Sequence, residues 1–188
     1  EVIVGAQMTE LPAAWNKVPL LLRALESYDE VVWFDCDLVV VDPSEDFPPF
    51  ADGKLHSMVR HFERCSEIPN SGVWRLRPTP DGLLSATVLL LKMLGLEAFV
   101  NHGWWEQAAL LTLMGYAVPP EGSCFSDTRC RCVRETVWYR ACQFMKLEFN
   151  SNPSHRAEHP RIVHCSYDSM AQRLEVMRAL VRVRTCCV

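Results

Sequence analysis

Two aspartates, Asp35 and Asp37, are separated by one residue within the apolar stretch "VVWFDCDLVVVDP", residues 31–43. In an extended chain, residues i and i+2 point to the same side, so the two carboxylates can converge while Cys36 faces the other way. Carboxylates held this close repel each other, and a bound divalent cation removes the repulsion and offsets their desolvation. Oxygen ligands suit Mg²⁺ or Mn²⁺, and such a cation suits a diphosphate. The alternative is a pair of solvated turn residues, which the apolar residues on both sides disfavour.

A D-x-D motif at the end of a buried strand is typical of two classes of enzyme. One comprises phosphatases of the haloacid-dehalogenase type, whose pattern hhhhDxDx[TV] is matched by "VVWFDCDLV". In that class Asp35 would be the nucleophile and Asp37 the acid/base. The class also needs a later acidic motif, D-D or G-D-x-x-x-D, and the sequence contains neither. Its D-x-D strand is normally the first of the domain, whereas a predicted strand and helix precede it here.

The other class is the GT-A glycosyltransferases, which use nucleotide sugars. The chain resembles this family in four segments that follow the family's order: "AAWNKVPLLLRALESYDEVVWFDCDLVVVDPSEDF", "NSGVWRLRP", "WWEQAALLTLM" and "PRIVHCS". It is most similar to the retaining galactosyl-, xylosyl- and mannosyltransferase-like group and to the glycogenin-like group. The resemblance implies a GT-A, Rossmann-like α/β sandwich. It also implies transfer of a hexose or pentose from a UDP- or GDP-sugar to a glycan or glycoprotein acceptor.

The resemblance implies that Asp35, Asp37 and His164 bind the metal, with Mn²⁺ or Mg²⁺ as the cofactor. A neutral imidazole nitrogen is an acceptable ligand for Mn²⁺. Taken in isolation, His164 is better explained as a core histidine that ends a strand. Its place in the late strand "RIVH" favours the metal-binding interpretation.

Further residues are expected to contact the donor. By the same resemblance, Lys17 near a helix start would contact the diphosphate or the donor sugar, with a solvated lysine as the alternative. Asn70, Ser71 and Gly72 are predicted to form a tight turn that hydrogen-bonds the donor sugar, with the glycine permitting close approach. An ordinary β-turn is the alternative interpretation of these three residues.

Glu106 and Gln107 stand early in a predicted helix whose positive end would face the site. We assign them as catalytic residues that act on sugar hydroxyls or on the developing oxocarbenium-like charge, and we name no covalent nucleophile. Simple charge complementarity at a helix start is the alternative for Glu106. Trp104 and Trp105 are either a stacking surface for an acceptor sugar or part of the core.

The sequence departs from the family's pattern at two places. Glycogenin-like relatives follow the late histidine with a glycine and a lysine that bind the diphosphate, and "HCSYDSM" supplies neither. Arg173 is a candidate replacement. The family's first strand carries part of the base-binding site, and we expect it to be missing unless "EVIVGAQ" replaces it. A non-catalytic remnant that binds sugar nucleotides or glycans is therefore a third hypothesis.

Regular elements must position these residues. Strands are predicted at about 2–7, on both sides of the D-x-D turn, at 55–62, at 73–76, at 145–150 and at 161–167. A helix is predicted within 9–28, where apolar residues recur at helical spacing. Further helices are predicted at 81–97 with Asp81 as the cap, at 103–116 with Gly115 at the end, and at 168–185 with Asp168 or Ser169 as the cap. Because strands and helices interleave, we expect a largely parallel sheet flanked by helices.

Length and composition limit the number of domains, the partners and the location of the protein. The 188 residues suit one catalytic domain, 1–188, which we expect to lack its first N-terminal strand or strands. A net charge of −4 argues against nucleic acid as a partner. No apolar run reaches the roughly 18 residues that a membrane span needs. The nine cysteines favour a secretory-pathway or Golgi lumen, with a bacterial cytoplasm as the alternative.

Overall fold

The computed structural model of the protein describes residues 10–63, 66–78, 84–118, 131–166 and 169–185. The predicted strand at about 2–7 lies outside these residues, as do the candidate caps Asp81 and Asp168. None of the helices in the described ranges is long and apolar enough to cross a membrane. The four described cysteines, Cys36, Cys132, Cys142 and Cys165, carry free thiols.

The described residues form eight strands in three sheets. The strands are β1 (Val31–Phe34), β2 (Leu38–Val40), β3 (His56–Glu63), β4 (Ser66–Leu76), β5 (Tyr116–Ala117), β6 (Arg131–Cys132), β7 (Cys142–Met145) and β8 (Ile162–His164). The largest sheet has the order β1-β4-β3-β7, and β2 pairs with β8 and β5 with β6. Among these described strands, β3 and β7 pair in parallel and the other pairings are antiparallel. The prediction of a largely parallel sheet is therefore wrong for the part of the chain that the structure describes.

Local chemistry accounts for several ends of the described helices. They are α1 (Lys17–Leu25), α2 (Ala86–Leu94), α3 (Trp105–Met114), α4 (Val137–Arg140) and α5 (Met170–Thr185). Helix α2 is capped by Ser85, whose Oγ accepts the Val88 N–H at 3.1 Å. Helix α3 ends at Gly115 as predicted, where φ is +95° and a Cβ atom would collide with the Arg134 carbonyl. Ser169 Oγ accepts the Gln172 N–H at the start of α5.

Apolar side chains fill both faces of the main sheet. The larger cluster joins α1, α2 and α3 to one face, and Trp15, Met58, Trp74, Leu90 and Leu110 are among its buried members. A smaller cluster on the other face contains Val59, Val73, Met145, Phe149 and Ile162. Alternate residues of β3 and β4 thus point to opposite cores, as the period-two geometry of a strand requires. The protein therefore has a mixed α/β fold with a core on each face of the main sheet.

Two local predictions were wrong. The segment 145–150 was expected to be a strand, but it leaves β7 and becomes a 3₁₀ turn, Leu147–Asn150. Asn70, Ser71 and Gly72 were expected to form a turn before a short strand, but they lie inside the long strand β4. The β3–β4 register jumps there from Met58↔Trp74 to Val59↔Asn70, so the segment is a bulge. Bulges re-aim side chains, and this one faces the end of β1.

The D-x-D motif lies in the turn between β1 and β2, where the Leu38 N–H donates to the Asp35 carbonyl at 3.1 Å. The flanking strands are only partly buried, and Phe34 and Val40 are exposed. The turn, rather than a deeply buried strand, therefore brings the two aspartates together, while Cys36 points outward as expected.

Candidate metal centre

Backbone hydrogen bonds join three distant segments around the D-x-D turn. The Asp35 N–H donates to the Gly72 carbonyl at 2.9 Å, which ties the turn to the β4 bulge. In the β2–β8 pairing Leu38 lies opposite His164, and the Cys165 N–H donates to the Asp37 carbonyl at 2.8 Å. These bonds bring His164 to the aspartates across more than a hundred residues of chain.

Asp35, Asp37 and His164 form a group that could hold a metal ion. Their candidate ligand atoms all lie within 4.8 Å of one another. His164 Nε2 is 3.1 Å from Asp37 Oδ1 and 4.0 Å from Asp35 Oδ2. Neighbouring ligand atoms around an octahedral ion, each about 2.1 Å from it, are about 3 Å apart. One nitrogen and two carboxylates at these separations fit a divalent cation, with Asp37 and His164 buried and Asp35 half-buried.

Lys17 lies behind Asp35 and is almost fully buried. Its Nζ is 3.1 Å from Asp35 Oδ1 and 2.7 Å from Glu106 Oε1, and it also donates to Ser71. Burial disfavours the charged ammonium, but the two carboxylates outweigh burial and raise the pKa of Lys17 well above its usual range. Lys17 therefore stays charged and holds Asp35 in place.

Asp37 has a cationic partner of its own. Arg173, from the first turn of α5, donates from Nη1 to Asp37 Oδ2 at 2.9 Å. Burial opposes ionisation of Asp37, but the hydrogen bond from His164 and the charges of His164 and Arg173 lower the pKa of its carboxyl. Asp37 is thus ionised at neutral pH, as a metal ligand must be.

The predicted catalytic residues meet the β4 bulge. Ser71 donates from Oγ to Glu106 Oε1 at 3.0 Å and from its backbone N–H to Gln107 Oε1 at 3.0 Å. Glu106 is buried and its Oε1 also pairs with Lys17, whereas Gln107 is half-buried. The start of α3 therefore fixes the bulge and Lys17. Direct contact between these two residues and a sugar stays a prediction.

Gly72 packs against the candidate metal ligand His164, and Asn70 bonds to Gly72 and to Asn150. A Cβ atom on residue 72 would lie 2.8 Å from His164 Nδ1. The Asn70 side chain accepts the Gly72 N–H at 2.9 Å and an amide hydrogen of Asn150 at 2.8 Å. These residues support the histidine, and their expected contact with a donor sugar stays a prediction.

The adjacent tryptophans at the start of α3 differ in exposure. Trp104 is 7% exposed and belongs to the larger core cluster. Trp105 is 45% exposed and has a φ of +45°, a value that bulky residues rarely adopt. The core interpretation applies to Trp104, and Trp105 is left as the candidate for stacking on an acceptor sugar.

Sequence reasoning missed two partners of the cluster. Trp33 donates from Nε1 to Asp35 Oδ1 at 2.7 Å, and Asn150 Oδ1 lies 3.2 Å from His164 Nδ1. Trp33 lies two residues before Asp35, so strand periodicity could have placed both side chains on one face. Asn150 gave no such signal, because its role depends on the 3₁₀ turn that was predicted as a strand.

Comparison with known proteins provides one structural match. No protein-family model matches the chain, and a search of curated proteins finds no significant match. Among solved structures, the chain is similar to a glycosyltransferase involved in the glycosylation of the major capsid of PBCV-1, with a TM-score of 0.61. The alignment covers 94% of this chain and 81% of that one at 19% sequence identity. This similarity shows a common fold.

Proposed function

We propose that the protein is a metal-dependent glycosyltransferase that moves a hexose or pentose from a nucleoside diphosphate sugar to a glycan or glycoprotein acceptor. The observation that carries the proposal is the convergence of Asp35, Asp37 and His164 at ligand distances. The fold in common with a glycosyltransferase and the resemblance of four sequence segments to the GT-A family support it. Retention of anomeric configuration is proposed on the sequence resemblance alone.

The charges around the cluster support a cation site. Asp35, Asp37 and Glu106 supply three carboxylates, whereas two fixed cations, Lys17 and Arg173, lie against them. These groups leave one net negative charge, and a divalent cation would turn it into one net positive charge, which suits an anionic diphosphate. When bound, Mn²⁺ or Mg²⁺ would act as a Lewis acid on the diphosphate, whose negative charge grows as the sugar leaves.

The chain's own residues would perform three tasks in this reaction. Lys17 and Trp33 orient Asp35, and Arg173 orients Asp37, so that both carboxylates face the cation before the donor arrives. Preorganised charge of this kind needs no reorganisation during the reaction. The bulge 70–72, held by Glu106 and Gln107, would then hydrogen-bond the donor sugar.

Release of nucleoside diphosphate from a panel of UDP- and GDP-sugars, with and without Mn²⁺, tests the proposal. We expect wild type to release the diphosphate from at least one donor only when metal is present. Asp37→Asn should abolish the release, and the exposed control Asp46→Asn should retain it. Metal-dependent nucleotide binding without any turnover would favour the non-catalytic remnant. Hydrolysis of a phosphomonoester that depends on Asp35 would favour the phosphatase.

A further inference from the structure

Helix α5 differs from the helices of the core in how little of it is buried. Helices α1, α2 and α3 each bury at least four residues. In α5, by contrast, none of the residues 170–181, whose side chains the structure describes, is buried. Helices in proteins are stabilised mainly by the packing of an apolar face, so α5 has an apolar face that is still largely in contact with water.

One side of α5 carries an apolar stripe made of four residues, Met170, Leu174, Met177 and Val181, which is called the α5 stripe. These residues follow the spacing i, i+4, i+7 and i+11, and at 3.6 residues per turn they fall within about 60° of the helix circumference. Met170, Leu174 and Val181 are 65%, 43% and 55% exposed. The spacing is that of a helix face that packs against another surface.

The α5 stripe and strand β2 line an open groove that is almost wholly apolar. Leu174, Met177 and Val181 line it from the helix, and the whole of β2, Leu38–Val40, lines it from the other side. Among the described residues, Arg178 is the one charged residue that lines the groove. A groove with so few polar side chains cannot fix the register of a peptide by hydrogen bonds, and it suits a partner whose contacts are not directional.

The charge of α5 is opposite in sign to that of the chain as a whole. Residues 170–185 include four arginines and one acidic residue, Glu175, which gives a net charge of +3, whereas the whole chain carries −4. By helical geometry Arg173 and Arg178 lie on either side of the α5 stripe, and Glu175 lies further round the helix. An apolar stripe between cationic side chains is complementary to a surface that is both apolar and anionic.

A second copy of this chain would fit the α5 stripe poorly. Two such stripes packed together would bring Arg173 and Arg178 of each copy to the edges of the same helix pair. Glu175, the one acidic residue of the helix, lies away from these edges and cannot compensate for the arginines. Like charges along the edges of a helix pair disfavour its formation.

We propose that the α5 stripe and β2 dock the protein on an anionic lipid bilayer. The apolar side chains enter between the acyl chains, and the Arg178 guanidinium meets the lipid phosphates while its methylene groups lie along the apolar surface. Apolar burial and attraction to anionic lipids act together in helices that lie on a membrane. Because Arg173 in the first turn of α5 bonds to Asp37, docking brings the candidate metal centre close to the bilayer surface.

Sedimentation with lipid vesicles, in buffer without Mn²⁺ or nucleotide, tests the docking. Wild type should bind vesicles made of equal parts of phosphatidylserine and phosphatidylcholine at least tenfold more tightly than vesicles of phosphatidylcholine alone, where the estimate of about tenfold follows from the attraction of two arginines to anionic lipid. Added salt should weaken the binding to the anionic vesicles, since it screens this attraction.

Variants of the groove separate its apolar and cationic parts. Leu174→Gln combined with Val181→Gln should weaken binding to the anionic vesicles about tenfold or more, and Arg178→Gln should weaken it about fivefold. Exposed residues of other helices provide the matched controls, because Leu91→Gln on α2 and Arg23→Gln on α1 should bind as wild type does. All five side chains are exposed, so each variant should keep the wild-type melting temperature.

Equal binding of wild type to both kinds of vesicle, or binding to neither, would overturn the proposal without any variant. A loss of binding in the Leu91 and Arg23 controls as large as in the α5 variants would overturn it as well, because the lipid would then meet the whole surface.

Two further results would replace the bilayer by another occupant. A wild-type dimer that becomes monomeric in the Leu174 and Val181 double variant would show that a second copy covers the α5 stripe. Binding to soluble polyglutamate but not to vesicles would indicate an acidic protein. By contrast, a protein that docks on anionic vesicles but transfers no sugar would contradict the proposed function and leave the docking intact.

Discussion

Gly72 and His164 are in such close contact that a methyl group on residue 72 would lie 2.6 Å from the ring carbon Cε1. Glycine is therefore needed at position 72 because a side chain would collide with the imidazole. A left-handed backbone is not the reason, since φ at this position is not positive. The β4 bulge brings a backbone without a side chain to the place where the candidate metal ligand must fit.

Replacement of Gly72 by alanine should displace the His164 ring and weaken Mn²⁺ binding at least tenfold. The added Cβ would also lie 2.8 Å from Asn70 Oδ1, so neither neighbour can move away easily. Gly95→Ala is the matched control, since its Cβ would meet only ordinary contacts at 3.5 Å and beyond. Equal Mn²⁺ affinity in both variants, measured by electron paramagnetic resonance, would contradict this reading of the contact.

Lys17→Met should destabilise the fold by about 3–5 kcal/mol, because it leaves buried Glu106 without its cation. Adding Glu106→Gln should recover part of the loss, since the second substitution removes the unpaired charge. Urea unfolding at pH 7 measures both effects. Lys92→Met, on an exposed face of α2, should change stability by less than about 0.5 kcal/mol. Additive losses in the double variant would show that the two side chains are not coupled.

The sequence predicted the parts of the site that local patterns encode. The D-x-D spacing identified Asp35 and Asp37 as a converging pair, although a turn and not an extended strand brings them together. The late apolar run identified the strand that ends at His164. Gly115 marked the end of α3, because only a glycine suits the left-handed conformation and close packing found there.

The remaining features depend on contacts between distant segments. Strand direction in the main sheet and the β4 bulge depend on pairing with β3, which no local pattern records. Arg173 meets Asp37 across 136 residues, and Asn150 meets Asn70 across 80. Such side-chain partners follow from tertiary packing, so periodicity and motif spacing could not identify them.

Stability should fall as the pH drops from 6.5 toward 4 because of His56. This buried ring hydrogen-bonds the Trp138 carbonyl and the Trp74 indole, and burial lowers the pKa of His56 to about 4. In the unfolded chain His56 has a pKa near 6.5 and binds the proton first. The contribution of His56 to stability is therefore fully present above pH 6.5 and is lost as the pH falls to about 4.

Between pH 7 and pH 5, His56 should lower the free energy of unfolding by about 2 kcal/mol, which urea unfolding measures. His56→Gln should lower stability at pH 7 and make it less dependent on pH. The control His159→Gln, at an exposed site, should keep the wild-type dependence. The same pH dependence in His56→Gln and in wild type would show that another group is responsible.

Arg173→Met should weaken binding of a nucleoside diphosphate about tenfold in the presence of Mn²⁺. The Arg173 guanidinium lies 2.9 Å from the Asp37 carboxylate, which is beside the proposed position of the diphosphate. Mn²⁺ binding alone should not weaken, since the variant removes a positive charge. Arg178→Met, further along the same helix, should bind both as wild type does. Isothermal titration calorimetry measures both affinities, and an unchanged diphosphate affinity would exclude this role for Arg173.

The most direct test of a metal-dependent donor site is thermal unfolding with Mn²⁺ and a panel of nucleoside diphosphates, compared between wild type and Asp37→Asn. At about 100 times the dissociation constant, a bound diphosphate should raise the wild-type melting temperature by about 5–10 °C. The increase should require Mn²⁺ and should disappear in Asp37→Asn. If no nucleoside diphosphate stabilises the wild-type protein in the presence of Mn²⁺, the proposed glycosyltransferase site is contradicted.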